Sequence, residues 1–216
     1  AKSEGVSYNE MLEMLKKKYD GYHFSEELIN VYNPFSICNA FYAKKLGDYW
    51  FATGTPTFIV QLMEQRAFDI PDLEGNIELS MSDIDDYRIN YDDLAPLLFQ
   101  AGYLTVKDYD KRLNKYVLGY PNDEVKYAFC ERLMQAYTSS RNDSYGPFMI
   151  DEFLESIEKG DIDRVLTLIK ALMASIPYDN LPADKLFLRE HNYQTAIYLI
   201  FRLMGEYVKT EVHSSR

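Results

Sequence analysis

A mainly α fold with one small β hairpin is the class this sequence predicts, and three observations predict it. Apolar residues recur at helical spacing through most of the 216 residues. Capping residues stand just before these runs: Asn33 ahead of Pro34, Asn122 ahead of Asp123 and Glu124, and Asp161 ahead of Ile162. The β-favouring runs are short and bracket a polar turn between Leu104 and Leu118. Changes in pattern divide the chain into three blocks: residues 1–70, which read as short helices, 71–140, which mix helix and strand, and 141–216, helical again.

In the first block, Tyr8, Met11, Leu12 and Leu15 fall at helical spacing ahead of Lys16, Lys17 and Lys18, whose charges suit the negative end of a helix dipole. Asp20-Gly21 reads as a loop. Asn33-Pro34 predicts an N-cap and first helical residue, with Phe35, Ile37, Cys38, Phe41 and Tyr42 forming the apolar face that follows. Thr55-Pro56 predicts the opening of a further helix carrying Phe58, Ile59, Leu62 and Met63.

In the second block, Asn76 to Ser80 reads as a short strand and Asp92 to Gln100 as a helix that Gly102 ends. Leu104-Thr105-Val106 and Tyr116-Val117-Leu118 predict the strands of a hairpin. The next helix starts at Asn122, with Asp123 and Glu124 in its first turn and Val125, Phe129, Leu133 and Met134 on its apolar side. Helix, hairpin, helix is the order of a winged-helix-like module.

In the third block, Phe148 to Ile157 predicts one helix. Asp161 caps a second, carrying Val165, Leu166, Leu168, Ile169 and Leu172 and stopping before Pro177. Leu181 to Met204 predicts a long third helix, and after Gly205 the residues Tyr207 to Val212 alternate as a strand. A single strand leaves its edge unpaired, so a second copy of the chain is a candidate partner and homo-oligomerisation an expectation.

Composition narrows the class further. With 47% hydrophobic and 26% charged residues, 19 Tyr and 12 Phe, the chain is no disordered polymer. A net charge of −11 opposes bulk attraction to nucleic acid, leaving a local basic patch as the route to phosphates. The acidic run from Glu64 to Asp93 reads as a solvated face or linker. Cys38 and Cys130 both sit in apolar helical patterns and are expected to be buried, reduced thiols rather than disulfide or zinc ligands. No signal-peptide pattern and no apolar run of membrane-span length is present, which predicts a cytoplasmic protein with no membrane partner.

The chain holds no Gly-rich loop with Lys and Ser or Thr to cradle nucleotide phosphates, so no cofactor is expected in the chain itself. In the turn Thr53-Gly54-Thr55-Pro56, glycine permits close backbone approach and the helix that follows offers N–H groups to an anion; simple capping is the alternative. Lys107, Lys111, Arg112 and Lys115 crowd the hairpin, where a wing would touch phosphates. The helix before it carries Asp92 and Asp93 and neither Lys nor Arg, which suits packing better than base reading. His23 and Asp20 among aromatics read as a polar cluster or as satisfied structural groups, and His191 and His213 lack metal-ligand spacing.

Three separated motifs, Asp20-Gly21-Tyr22-His23-Phe24 with Tyr19 before it, Tyr32-Asn33-Pro34-Phe35-Ser36, and Tyr49-Trp50-Phe51-Ala52-Thr53-Gly54-Thr55-Pro56, resemble in order the C-terminal part of a bacterial AAA-ATPase-like family. The resemblance implies that Thr53, Gly54, Thr55 and Pro56 lie near the nucleotide in a helical lid. It also implies that the phosphate-binding loop and Mg-binding carboxylate belong to a missing N-terminal ATPase core, with ATP and Mg as cofactors of the parent protein. Ile176-Pro177-Tyr178, Leu188 to Gln194, Gly205 to Val208 and Thr210-Glu211-Val212 resemble the start of the PD-(D/E)XK nuclease-like domain of the same family. By that resemblance Glu190 is the candidate catalytic and metal-site residue, and the metal-holding strands lie in a nuclease sheet after Arg216.

The expectation is therefore a helical ATPase-lid-like block, a winged-helix-like module and the truncated helical start of an α/β nuclease-like domain. The chain would be a catalytically incomplete fragment of a parent that binds ATP and acts on nucleic acid, the parent being an ATPase, a metal-dependent nuclease or both. The alternative is a non-enzymatic binding or regulatory module contacting protein or DNA through the winged-helix-like surface. Exposed apolar surface discriminates for the first and a well-covered fold for the second.

Overall fold

The computed structural model describes residues 7–53, 57–80, 82–83, 94–138, 145–176 and 186–205. The fold is mainly α with a small three-stranded antiparallel sheet, as the sequence predicts. The contacts gather the chain into two units, Ala1–Pro56 with Asp72–Ala128 and Thr57–Pro71 with Phe129–Arg216, a division that differs from the three sequence blocks. The opening of a helix at Thr55-Pro56, the Asp92-Asp93 start of another, the stretch Leu181 to Lys185 and the strand Tyr207 to Val212 lie outside the described residues.

In the first unit, helix α1 (Tyr8–Tyr19) opens on a capping box in which Ser7 Oγ accepts from Glu10 N–H and the Glu10 carboxylate accepts from Ser7 N–H. Lys16, Lys17 and Lys18 occupy its last turn. Helix α2 (Pro34–Ala43) starts as predicted, Asn33 Oδ1 accepting from Phe35 N–H and Ser36 N–H. Its burial reverses the expected face. Ser36 and Ala40 point inward, while Phe35, Cys38, Phe41 and Tyr42 are exposed. The reason is close packing: the small residues at i and i+4 let α2 approach the unit, and a bulky stripe there would hold it away. Cys38 thus departs from the expectation of two buried thiols, and Cys130 meets it.

The sheet contains β1 (Ile77–Ser80), β2 (Thr105–Asp110) and β3 (Lys115–Gly119) in the order β1-β3-β2. Short helix α3 (Thr57–Gln65) belongs to the second unit, and α4 (Leu94–Gln100) precedes the hairpin, ending where Gly102 takes a φ of +79°. Tyr116 and Leu118 of β3 face the core, with Leu98, Leu104 and Val106 also buried. The register slips between Val106 and Asp108, so Lys107 is the extra residue of a β-bulge.

Helix α5 (Asp123–Tyr137) is capped by Asn122, whose Oδ1 accepts from Val125 N–H at 3.1 Å. Its residues Asp123–Ala128 belong to the first unit and Phe129–Tyr137 to the second. The second unit also holds α6 (Tyr145–Glu158), α7 (Ile162–Ser175) and α8 (Leu186–Leu203). Asp161 caps α7 by accepting from Arg164 N–H, as its position predicts. The apolar core of this unit is built from Ile59, Met63, Phe129, Phe153, Leu172 and Leu199, each at most 1% exposed. Among the described residues no helix is long and apolar enough to cross a membrane.

Candidate functional site

The first motif is a set of anchors. Tyr19 Oη donates to Gly47 C=O and accepts from Gly47 N–H, both at 2.9 Å, and burial pushes the phenol up to about 12. Gly21 has a φ of +102°, and a Cβ there would lie 2.4 Å from Pro121 O, so glycine answers both a backbone and a steric demand. Tyr22 Oη donates to Gly102 C=O at 3.1 Å, while its backbone pairs with Val31 across an isolated antiparallel bridge. His23 joins β2: its N–H donates to Thr105 Oγ1 at 2.7 Å, Thr105 Oγ1 donates to His23 C=O, and His23 Nδ1 donates to Val106 C=O at 2.6 Å. His23 is therefore a satisfied structural group.

The third motif is held by a residue whose role the sequence conceals. Glu124, in the first turn of α5, is 0% exposed. Its Oε1 accepts from Tyr49 N–H at 2.7 Å and Trp50 N–H at 3.0 Å. Burial pushes this carboxyl above its ordinary range, opposed by the nearby Ser36 hydroxyl and the two amides, with Asp48 adding to the rise. Ser36 Oγ and Glu124 Oε2 are both buried and neither makes a hydrogen bond among the described residues. Trp50 packs edge-on against Phe51 and Tyr103 at 4.7 and 4.8 Å. Glu124 thus fixes the strap that leads into Thr53.

The sequence marks Glu124 only as an acid favoured by the helix dipole, a role its neighbour Asp123 fills at the surface with Lys17 at 3.4 Å. The readable signal is spacing: Glu124 stands four residues before buried Ala128, on the inward side of α5.

The predicted site residues are not gathered in one place. Thr53 ends the 3-10 turn Trp50–Thr53, and Gly54, Thr55 and Pro56 lie outside the described residues. Lys111 and Arg112 are exposed at the hairpin turn, with Arg112 N–H donating to Asp110 Oδ1. Lys115 is paired with Glu78 at 2.8 Å. The bulge turns Lys107 from the wing toward α5, where its ammonium donates to Pro121 C=O at 3.2 Å. In the second unit Glu190 is exposed on α8. Its neighbour His191 is held below its ordinary pKa by burial, against the pull of Asp69 and a Phe68 backbone hydrogen bond, and its Nε2 lies 3.4 Å from Thr195 Oγ1. Among the described residues no group of three or more His, Cys, Asp or Glu is placed to hold a metal ion.

Comparison with known proteins finds one informative relation. The chain is 31% identical over 195 residues to an uncharacterized protein in the vnfD 5′ region of Azotobacter chroococcum mcd 1, a match covering 89% of this chain and 37% of that protein. No family model matches the chain, and no solved structure matches it. The chain therefore spans little more than a third of the length of the relative it resembles.

Proposed function

We propose that this chain is a catalytically incomplete, lid-like part of a longer ATP-binding protein, and that α2 carries its docking face for the ATPase core. The observation that carries the reading is the outward stripe of α2. Phe35, Cys38 and Tyr42 stand at i, i+3 and i+7 with Phe41 beside them, and the aromatic members are 46%, 90% and 65% exposed for Phe35, Tyr42 and Phe41. Aromatic side chains concentrated on one helix face are the composition of an interface core, and leaving them in water forfeits their burial energy. Phe24 and Ile29, in the loop before α2, add further exposed apolar surface.

The occupant is a further segment of the same polypeptide. The relative is far longer than the part this chain matches, and the three motifs resemble the region that follows an ATPase core in the AAA-ATPase-like family. On this reading Asn33, Tyr19 and Glu124 serve to hold α2 and the Tyr49–Thr53 strap in fixed relation, so that docking of α2 sets where the Thr53-Gly54-Thr55-Pro56 turn meets the nucleotide. The parent's action on nucleic acid rests on the nuclease-like resemblance around Glu190.

Isothermal titration with ATP and Mg tests the proposal, using the 216-residue chain beside a polypeptide extended at both ends. Binding by the longer polypeptide alone is the expected result. Binding of ATP and Mg by the short chain with the affinity of the longer polypeptide, undiminished in Lys107→Gln, would overturn it.

A further inference from the structure

We infer that the first unit carries a binding pocket for a phosphate-sized oxyanion, centred on Lys107 and distinct from the α2 stripe. A cavity of about 300 Å³ opens at the start of α5, with Lys17, Lys107, Lys126, Glu74 and Asp123 on its walls. Two of its cations are already matched by carboxylates: Lys126 by Glu74 at 2.9 Å and Lys17 by Asp123 at 3.4 Å. Lys107 has no such match among the described residues. Its ammonium contacts the neutral Pro121 carbonyl, and burial holds its pKa below the ordinary lysine value.

Three features make this a built site. The β-bulge aims Lys107 here, since a regular register would place it within the β2–β3 ladder. Its stem passes beside Gly119, where an added Cβ would lie 3.1 Å from Lys107 Cγ, so glycine there leaves room for the lysine. Gly21 lets the α1 loop close on Pro121, fixing the carbonyl that holds the ammonium in place.

A partly desolvated ammonium whose hydrogen-bond partner among the described residues is a neutral carbonyl gains from an anion, and low local dielectric strengthens that gain. The positive end of α5 adds to it. Lys17, largely exposed and at the long end of ion-pair distance from Asp123, is free to turn toward a bound oxyanion. The cavity has ample room for a phosphoryl group. That group belongs either to free phosphate or to the terminal phosphate of a larger molecule.

The test is an amide chemical-shift titration of the 216-residue chain with inorganic phosphate, at constant ionic strength against a chloride control, repeated with ATP. Saturable shifts at Lys107 and at Tyr120 to Lys126 are expected. Lys107→Gln should weaken binding roughly tenfold or more, the loss of a charge-assisted hydrogen bond, while Lys107→Arg retains it and Lys111→Gln leaves it unchanged. The spectra themselves report whether each variant is folded. Saturation by ATP alone, abolished in Lys107→Gln, identifies the terminal phosphate of a larger molecule as the source. Absence of saturable shifts with either probe, equal affinity in Lys107→Gln, or shifts confined to Lys111 and Arg112 would overturn the inference.

Discussion

A single buried carboxylate sets the behaviour of the strap before the Thr53 turn. Glu124→Ala leaves the Tyr49 and Trp50 amides without their acceptor and should cost at least about 1–3 kcal/mol in denaturant unfolding. Glu124→Gln keeps an acceptor oxygen and removes the buried charge. Burial raises the folded carboxyl above its ordinary 4.5, so the folded state binds the proton more tightly than the unfolded one. The contribution of that proton to stability is complete below pH 4.5 and is lost as pH rises through the raised folded value. Wild type should therefore lose stability relative to Glu124→Gln over that window, and superimposable pH profiles would show that the carboxyl is not buried as described. Gly21→Ala places a Cβ 2.4 Å from Pro121 O at a φ of +102°, and should lower stability by more than about 1 kcal/mol; an unchanged midpoint would contradict the close approach. Of these two residues Gly21 was legible in the sequence as a turn. Glu124 was not, because helical spacing marks apolar positions as inward and treats a charged one as solvent-facing by default.

At the scale of elements, caps were read from the sequence more reliably than faces. Asn33, Asn122 and Asp161 each cap the helix they were expected to cap, since a cap is a local hydrogen bond between neighbours in the chain. Asn33→Ala should cost about 1 kcal/mol, measured as a lowered unfolding midpoint. The face of α2 was legible as amphipathic but not as outward, because periodicity locates an apolar stripe without saying whether this chain covers it. Exposure gives the substitution its expected outcome: Phe41→Ser with Tyr42→Asn should change the stability of the isolated chain by no more than about 0.5 kcal/mol. A loss of several times that would mean that the two aromatics pack within the first unit. The wing shows the same limit, since Lys107 and Lys115 were legible as basic hairpin residues. A bulge and a cross-strand Glu78, both set by tertiary pairing, decide where they go.

At the scale of the whole molecule, the mainly α class and the small sheet were legible from length, periodicity and short β-favouring runs. The candidate site was legible only as motifs, and the structure makes several of those motif residues anchors that hold backbone: Tyr19 on Gly47, His23 on β2, and the Tyr49-Trp50 amides on Glu124. What the anchors display is the α2 stripe, and the proposed function turns on whether a longer polypeptide covers it. Cys38 lies within that stripe and is exposed, while Cys130 is buried and serves as an internal control. Thiol-alkylation rates at Cys38, read peptide by peptide in the 216-residue chain and in the polypeptide extended at both ends, test the claim most directly. The account predicts fast labelling of Cys38 in the short chain and strong protection in the longer one, with Cys130 slow in both; equal Cys38 rates in the two would contradict it.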